Sequence, residues 1–166
     1  MNMEKTLKNL MEAFAGESQA NRKYLAFARK AEEEGYPGVA KLFKAAAEAE
    51  TVHALNHLKA AGGIKNTKEN LEAAISGETY EFESMYPPMI KDAEAENAIQ
   101  AKRSFSYAFE VEKVHAELFK RALESLDKKL NAAYYVCQVC GHTVEGEPPE
   151  KCPVCGSPKK MYKKID

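Results

Sequence analysis

Residues 48–54 read EAETVHA, and residues 110–116 read EVEKVHA. Five of the seven positions coincide at an offset of 62, including both glutamates and the histidine. A second pair accompanies the first. GES at 16–18 returns as GET at 77–79, at an offset of 61. A unit of about 60 residues, a helix bearing Gly-Glu followed by a helix bearing Glu-x-x-His, therefore occurs twice.

The sequence around these motifs has helical periodicity. Over residues 6–34, Leu7, Leu10, Met11, Phe14, Glu17, Asn21, Tyr24, Leu25 and Ala28 recur at i, i+3, i+4 spacing. Glu17 and Asn21 are polar interruptions of that stripe. Gly35 and Pro37 end one helix and start the next, over 37–61, with Val39, Leu42, Phe43, Ala46, Glu50, His53, Ala54, His57 and Leu58 inward. Asn66 or Thr67 caps a third helix to about residue 95, kinked at Pro87–Pro88. A fourth spans about 97–128, with Ile99, Phe105, Ala108, Phe109, Glu112, His115, Ala116 and Phe119 inward. Four long helices with short connections predict a mainly α protein built as an antiparallel four-helix bundle.

Composition divides the chain. Residues 1–130 contain no cysteine and three prolines, whereas 131–166 hold all four cysteines and the other four prolines. Two modules are expected, 1–130 and 131–166. A net charge of −1 gives no bulk attraction to nucleic acid or to an anionic membrane. No apolar run approaches the ~18 residues that a spanning helix needs. The opening MNMEKTLKNL lacks a signal-peptide core, so a cytoplasmic address is expected.

On a helix, i and i+3 share a face. Glu50 with His53, and Glu112 with His115, each present a carboxylate and an imidazole to one point, and Glu17 and Glu78 add a carboxylate from each of the other two helices. One Glu from each of two helices, with Glu-x-x-His from each of the other two, is the ligand set of di-iron and di-manganese carboxylate bundles. Four carboxylates gathered inside a bundle repel one another, and two divalent cations reverse the sign of that energy. Oxygen and imidazole donors without thiolate favour Fe or Mn over Cu(I). The plainer alternative is a pair of satisfied core histidines in a Glu-rich chain. Glu81, three residues after Glu78, shares its face and offers a seventh protein group, whereas Ala20 at the matching place after Glu17 cannot ligate. A surface glutamate is the alternative there.

Cys137-x-x-Cys140 and Cys152-x-x-Cys155 are two knuckles separated by eleven residues. Four thiolates at this spacing make a tetrahedral site for Zn or Fe. Gly141 and Gly156 follow each second cysteine, where a tight turn needs freedom in φ. Two disulfides are disfavoured without an export signal. Zinc would make a structural or nucleic-acid-binding ribbon, for which Lys159, Lys160, Lys163 and Lys164 could serve, although four lysines near a terminus more often form a solvated face, and iron would make a one-electron carrier. Spacing does not choose between them.

Taken together, GESQANRKY, the two Glu-x-x-His helices, GETYEFESMYP and the terminal CxxCG…CPxCG resemble the rubrerythrin family along nearly the whole chain. The resemblance implies a ferritin-like di-iron bundle followed by a small β-rich, rubredoxin-like domain holding one iron, with zinc as a possible substitute. It implies reduction of hydrogen peroxide to water in oxidative-stress defence, with electrons from rubredoxin or an NAD(P)H-dependent reductase, in a homodimer. Glu50 and Glu112 would be bridging ligands, Glu17 terminal to one iron, and Glu78 and His115 terminal to the other. Glu81 would exchange with His53 between oxidation states. Tyr24 and Tyr86 resemble tyrosines that hydrogen-bond near the cluster, and ordinary core packing is the alternative for both. The rival functions are a ferroxidase or iron-handling bundle, which needs no four-cysteine tail, and a non-enzymatic zinc-ribbon interaction protein.

Overall fold

A computed structural model describes residues 4–128 and 131–165. Residue 130, at the expected module boundary, and residues 1 and 166, at the ends of the two modules, lie outside the described residues. The protein is mainly helical with a small C-terminal antiparallel sheet. The chain forms two compact units, residues 1–65 and 66–166. Among the described residues no helix is long and apolar enough to cross a membrane.

The first unit is a helical hairpin, α1 (Glu4–Glu33) and α2 (Pro37–Ala60). Gly35, at φ 80°, makes the turn a residue with a Cβ would strain against. Tyr36 N–H closes the helix end on Ala31 O at 2.8 Å. Small residues fill the seam: Ala28, Ala31, Ala40, Ala47 and Ala54 are all buried. Asn21 is no stray interruption, because its amide donates to Ala47 O (2.7 Å) and Thr51 Oγ1 (2.8 Å) and pins the two helices together.

The wider apolar stripe does not close as expected. Leu7, Met11, Val39 and Leu42 are exposed in the chain although the periodicity turns them inward. Two helices can bury only the narrow seam between them, so the rest of a broad stripe stays open to a further partner.

The second unit opens with α3 (Thr67–Tyr80), capped by Asn66, whose Oδ1 accepts from Glu69 N at 3.0 Å. A π turn follows over Glu81–Met85, then α4 (Tyr86–Ala95). The sequence predicts a simple proline kink. Instead Tyr86 N–H reaches back to Glu81 O, five residues away. Pro87 and Pro88 have no N–H to offer the preceding turn, and the widened turn absorbs the mismatch. Next, α5 (Ile99–Glu124) packs on α3 and α4. Ile99, expected inward, is 77% exposed because it is the first residue of its helix. A 3₁₀ turn, Leu126–Lys128, occupies the last part of the expected fourth helix.

The sheet of this unit runs β2-β1-β3, all antiparallel, from β1 (Tyr134–Cys137), β2 (Thr143–Glu145) and β3 (Tyr162–Ile165). Its register sets Val136 opposite both Thr143 and Lys163, and Cys137 opposite Tyr162. Strand β2 packs against α5, which brings the cysteine loop onto the helix carrying Glu112 and His115.

Candidate metal centres

The helices gather the acidic and imidazole side chains into two clusters of three: Glu17, Glu50 and His53 in the first unit, and Glu78, Glu112 and His115 in the second. Within each, one ligand atom per residue lies within 4.8 Å of the others. The two are near copies in geometry. His53 Nδ1 stands 2.9 Å from Glu50 Oε2 and 3.9 Å from Glu17 Oε1. His115 Nδ1 stands 2.7 Å from Glu112 Oε2 and 3.8 Å from Glu78 Oε2. The sequence repeat is thus a repeat of side-chain geometry.

The copies differ in their surroundings. The Glu112 side chain is 15% exposed and that of His115 26%, whereas that of His53 is 54% exposed. Burial, a hydrogen bond to Glu112 and the Glu112 charge push Glu78 up to about 7, against the pull of His115. Burial and the Glu112 charge also raise Glu81. The hydrogen bond to Glu112 raises His115 in spite of burial. Carboxyl groups that retain protons at such pH are under-neutralised, which is the condition a bound cation relieves. The donor chemistry therefore fits a hard divalent metal such as iron or manganese.

Glu81 stands at the start of the π turn, outside the cluster of three but near enough for the Glu112 and His115 charges to act on it. Tyr86 stacks at a tilt on Phe105, 6.4 Å between ring centroids, and its hydroxyl is raised by burial and by the charges of Glu81, Glu112 and Glu78. Tyr24 packs with Phe43 (6.1 Å) and Phe27 (6.3 Å) in the first hairpin.

Cys137, Cys140, Cys152 and Cys155 also converge within 4.8 Å, with Sγ···Sγ distances of 3.7 Å (137–155) and 3.5 Å (140–152). A tetrahedron of metal–sulfur bonds of about 2.3 Å has edges of about 3.8 Å, so the four sulfurs fit one ion. Gly141 (φ 85°) and Gly156 (φ 74°) turn the two knuckles. Burial alone pushes Cys152 up, but hydrogen bonds from the Tyr162 hydroxyl and from Cys155 and Val154 N–H outweigh it and bring the thiol down to about 6. Burial keeps Cys137 and Cys140 raised.

Three residues at these sites were not singled out in the sequence. Tyr162 reaches Cys152 because β3 pairs with β1. His142 Nδ1 lies 2.8 Å from the Tyr162 hydroxyl. Thr143 Oγ1 lies 2.9 Å from His115 Nε2. Only the CGHT run after the first knuckle hints at the last two, and strand pairing is needed to aim them.

Comparison with known proteins agrees with this architecture. The family model described as Rubrerythrin matches residues 8–123, and that described as Rubrerythrin, rubredoxin-like domain matches 135–163. Rubrerythrin-2 of Clostridium acetobutylicum is 38% identical over 92% of this chain and 92% of its own. Nigerythrin of Nitratidesulfovibrio vulgaris is 38% identical over 95% of this chain and 85% of its own. The solved structure of fully reduced, all-ferrous nigerythrin aligns over 96% of this chain and 86% of its own, at 35% identity and a TM-score of 0.59.

Proposed function

The chain belongs to the rubrerythrin family, and from that premise we propose that it reduces hydrogen peroxide to water. The observation that carries this reading is one chain bearing two matching Glu, Glu, His clusters and a four-cysteine cluster. The balance is H2O2 + 2 H⁺ + 2 e⁻ → 2 H2O. Glu17, Glu50 and His53 would hold one iron ion, Glu78, Glu112 and His115 another, and Cys137, Cys140, Cys152 and Cys155 a third. Iron in the carboxylate site supplies two electrons and Lewis acidity when bound.

The residues of the chain supply the rest. Three protein ligands in each cluster would fix the position and charge of its ion. Glu81 and His53 are given the exchanging roles, in which a carboxylate would replace an imidazole on oxidation, and His53 is the more exposed of the two cluster histidines. A carboxylate in place of a neutral imidazole would stabilise the higher charge of an oxidised metal. Tyr86, whose hydroxyl stays protonated beside three carboxylates, donates a hydrogen bond at the site, and Tyr24 is assigned the corresponding role in the first hairpin. The module of residues 131–166 passes single electrons in, from rubredoxin or an NAD(P)H-dependent reductase. The exposed apolar residues Leu7, Met11, Val39 and Leu42 favour a homodimer. The protein acts in the cytoplasm as an oxidative-stress defence.

A ferroxidase or iron store uses a similar bundle but has no use for the four-cysteine cluster. The separating experiment is anaerobic reduction followed by peroxide or by oxygen with ferrous iron. Rapid peroxide consumption coupled to reoxidation of the iron–thiolate centre supports the peroxidase. Mineral formation from ferrous iron and oxygen, without peroxide turnover, refutes it.

A further inference from the structure

We propose that Thr143 is the positioning residue of His115: its hydroxyl holds the imidazole with the proton on Nε2, turns Nδ1 to the metal, and ties that choice to the folded state of the four-cysteine loop. The inference rests on the reading of His115 as a metal ligand and goes beyond it, because it gives one metal site a hold on the other.

Thr143 Oγ1 has one hydrogen, and it lies 3.1 Å from Gly141 O, which can only accept. The same oxygen lies 2.9 Å from His115 Nε2. With its hydrogen committed to the carbonyl, the hydroxyl has only a lone pair for the ring, so Nε2 carries the N–H and donates. A metal that displaces the Nδ1 proton, which otherwise bonds Glu112, then finds Nδ1 bare while Nε2 keeps its hydrogen. That nitrogen, Nδ1, faces Glu112 at 2.7 Å and Glu78 at 3.8 Å, which is where the ligand cluster converges.

The carbonyl that orients Thr143 belongs to the cysteine knuckle. Gly141 follows Cys140, and its N–H donates to Cys137 O at 2.9 Å. Cys137 N–H donates in turn to His142 O at 2.9 Å. Residues 137–143 thus close on themselves around the first two thiols. The loop is seated on α5: a Cβ at Gly141 would stand 3.8 Å from Cγ1 of Val111, the buried residue before Glu112. Ligation of Cys137 and Cys140 fixes this loop, and the loop fixes the oxygen that holds His115. The coupling is reciprocal, so each filled site favours filling of the other.

His53, the counterpart in the first hairpin, has Nδ1 on Glu50 and, among the described residues, no partner at Nε2. Of the two imidazoles, only His115 is held at both ring nitrogens.

The test uses the full chain loaded with zinc, which is diamagnetic, in four forms: wild type, Thr143→Val, Thr143→Ser and Cys155→Ser. Chelator competition reads affinity at the carboxylate–histidine site, and nitrogen-resolved NMR reads the His115 ring. Wild type and Thr143→Ser should show a slowly exchanging Nε2–H on His115. Thr143→Val should lose that signal and bind zinc at this site about 10- to 100-fold more weakly, the usual cost of losing a partner of a metal-ligating histidine. Cys155→Ser should weaken the same site although it lies in neither carboxylate–histidine cluster. Thr143→Val with unchanged affinity and an unchanged Nε2–H overturns the assignment. Unchanged affinity in Cys155→Ser overturns the coupling. Absence of zinc from the carboxylate site of wild type refutes the underlying metal reading instead.

Discussion

Glu78 and Glu112 bring carboxyl oxygens within 4.8 Å of each other, and burial together with that neighbour lifts Glu78 to about 7. The folded chain therefore grips this proton more tightly than the unfolded chain, whose Glu titrates near 4.5. The stability this contributes is complete below about 4.5 and is lost as pH rises through about 7. Metal binding has the opposite sign, since a ligating carboxylate must give its proton up. Affinity for manganese or ferrous iron should climb between pH 5 and 7 and level off above, while the stability of the chain without added metal falls over the same window. Calorimetric titration at several pH values measures the first, and denaturant unfolding the second. Glu78→Gln should flatten both dependences.

Glu81→Ala should keep its iron and lose peroxide turnover by at least about tenfold, the scale of one lost transition-state interaction of 1.4 kcal/mol. Iron analysis and single-turnover kinetics on the same sample check it. Undiminished turnover would remove Glu81 from the mechanism.

Tyr162→Phe removes a hydroxyl donor from Cys152. Hydrogen bonds to cluster sulfurs favour the more negative, reduced state. The potential of the four-cysteine iron should therefore fall, by about 59 mV if the bond discriminates tenfold between the redox states. Spectroelectrochemical titration against wild type gives the shift. The four sulfurs remain, so the visible charge-transfer bands should persist.

Asn21→Leu should destabilise the first hairpin by about 1–3 kcal/mol, the cost of leaving buried partners unmet. The amide it loses serves both Ala47 O and Thr51 Oγ1. Thermal unfolding should register the loss, with the cysteine-bound iron spectrum unchanged.

Much of the ligand constellation was legible in the sequence because it is local. A helix fixes the angle between Glu50 and His53, and between Glu112 and His115, whatever surrounds them. The cysteine knuckles were legible for the same reason. What the sequence could not reveal depends on pairing at a distance. Tyr162 meets Cys152, and Thr143 meets His115, only because β3 and β2 flank β1 in a particular register. Periodicity turns Leu42 and Met11 inward, yet both are exposed, because periodicity carries no information on what covers that face. The prolines at 87 and 88 announced a break. That the helix would widen into a π turn beginning at Glu81 follows from how α3 and α4 must both stay packed on α5.

On the proposed function, electrons stored in this chain go to peroxide. The most direct measurement is stopped-flow mixing of the fully reduced, iron-loaded protein with hydrogen peroxide under anaerobic conditions, followed at the iron–thiolate charge-transfer bands. The account predicts rapid return of the oxidised spectrum, with one peroxide consumed per two electrons withdrawn. A reduced protein that stays colourless in peroxide, with its iron complement intact, would contradict it.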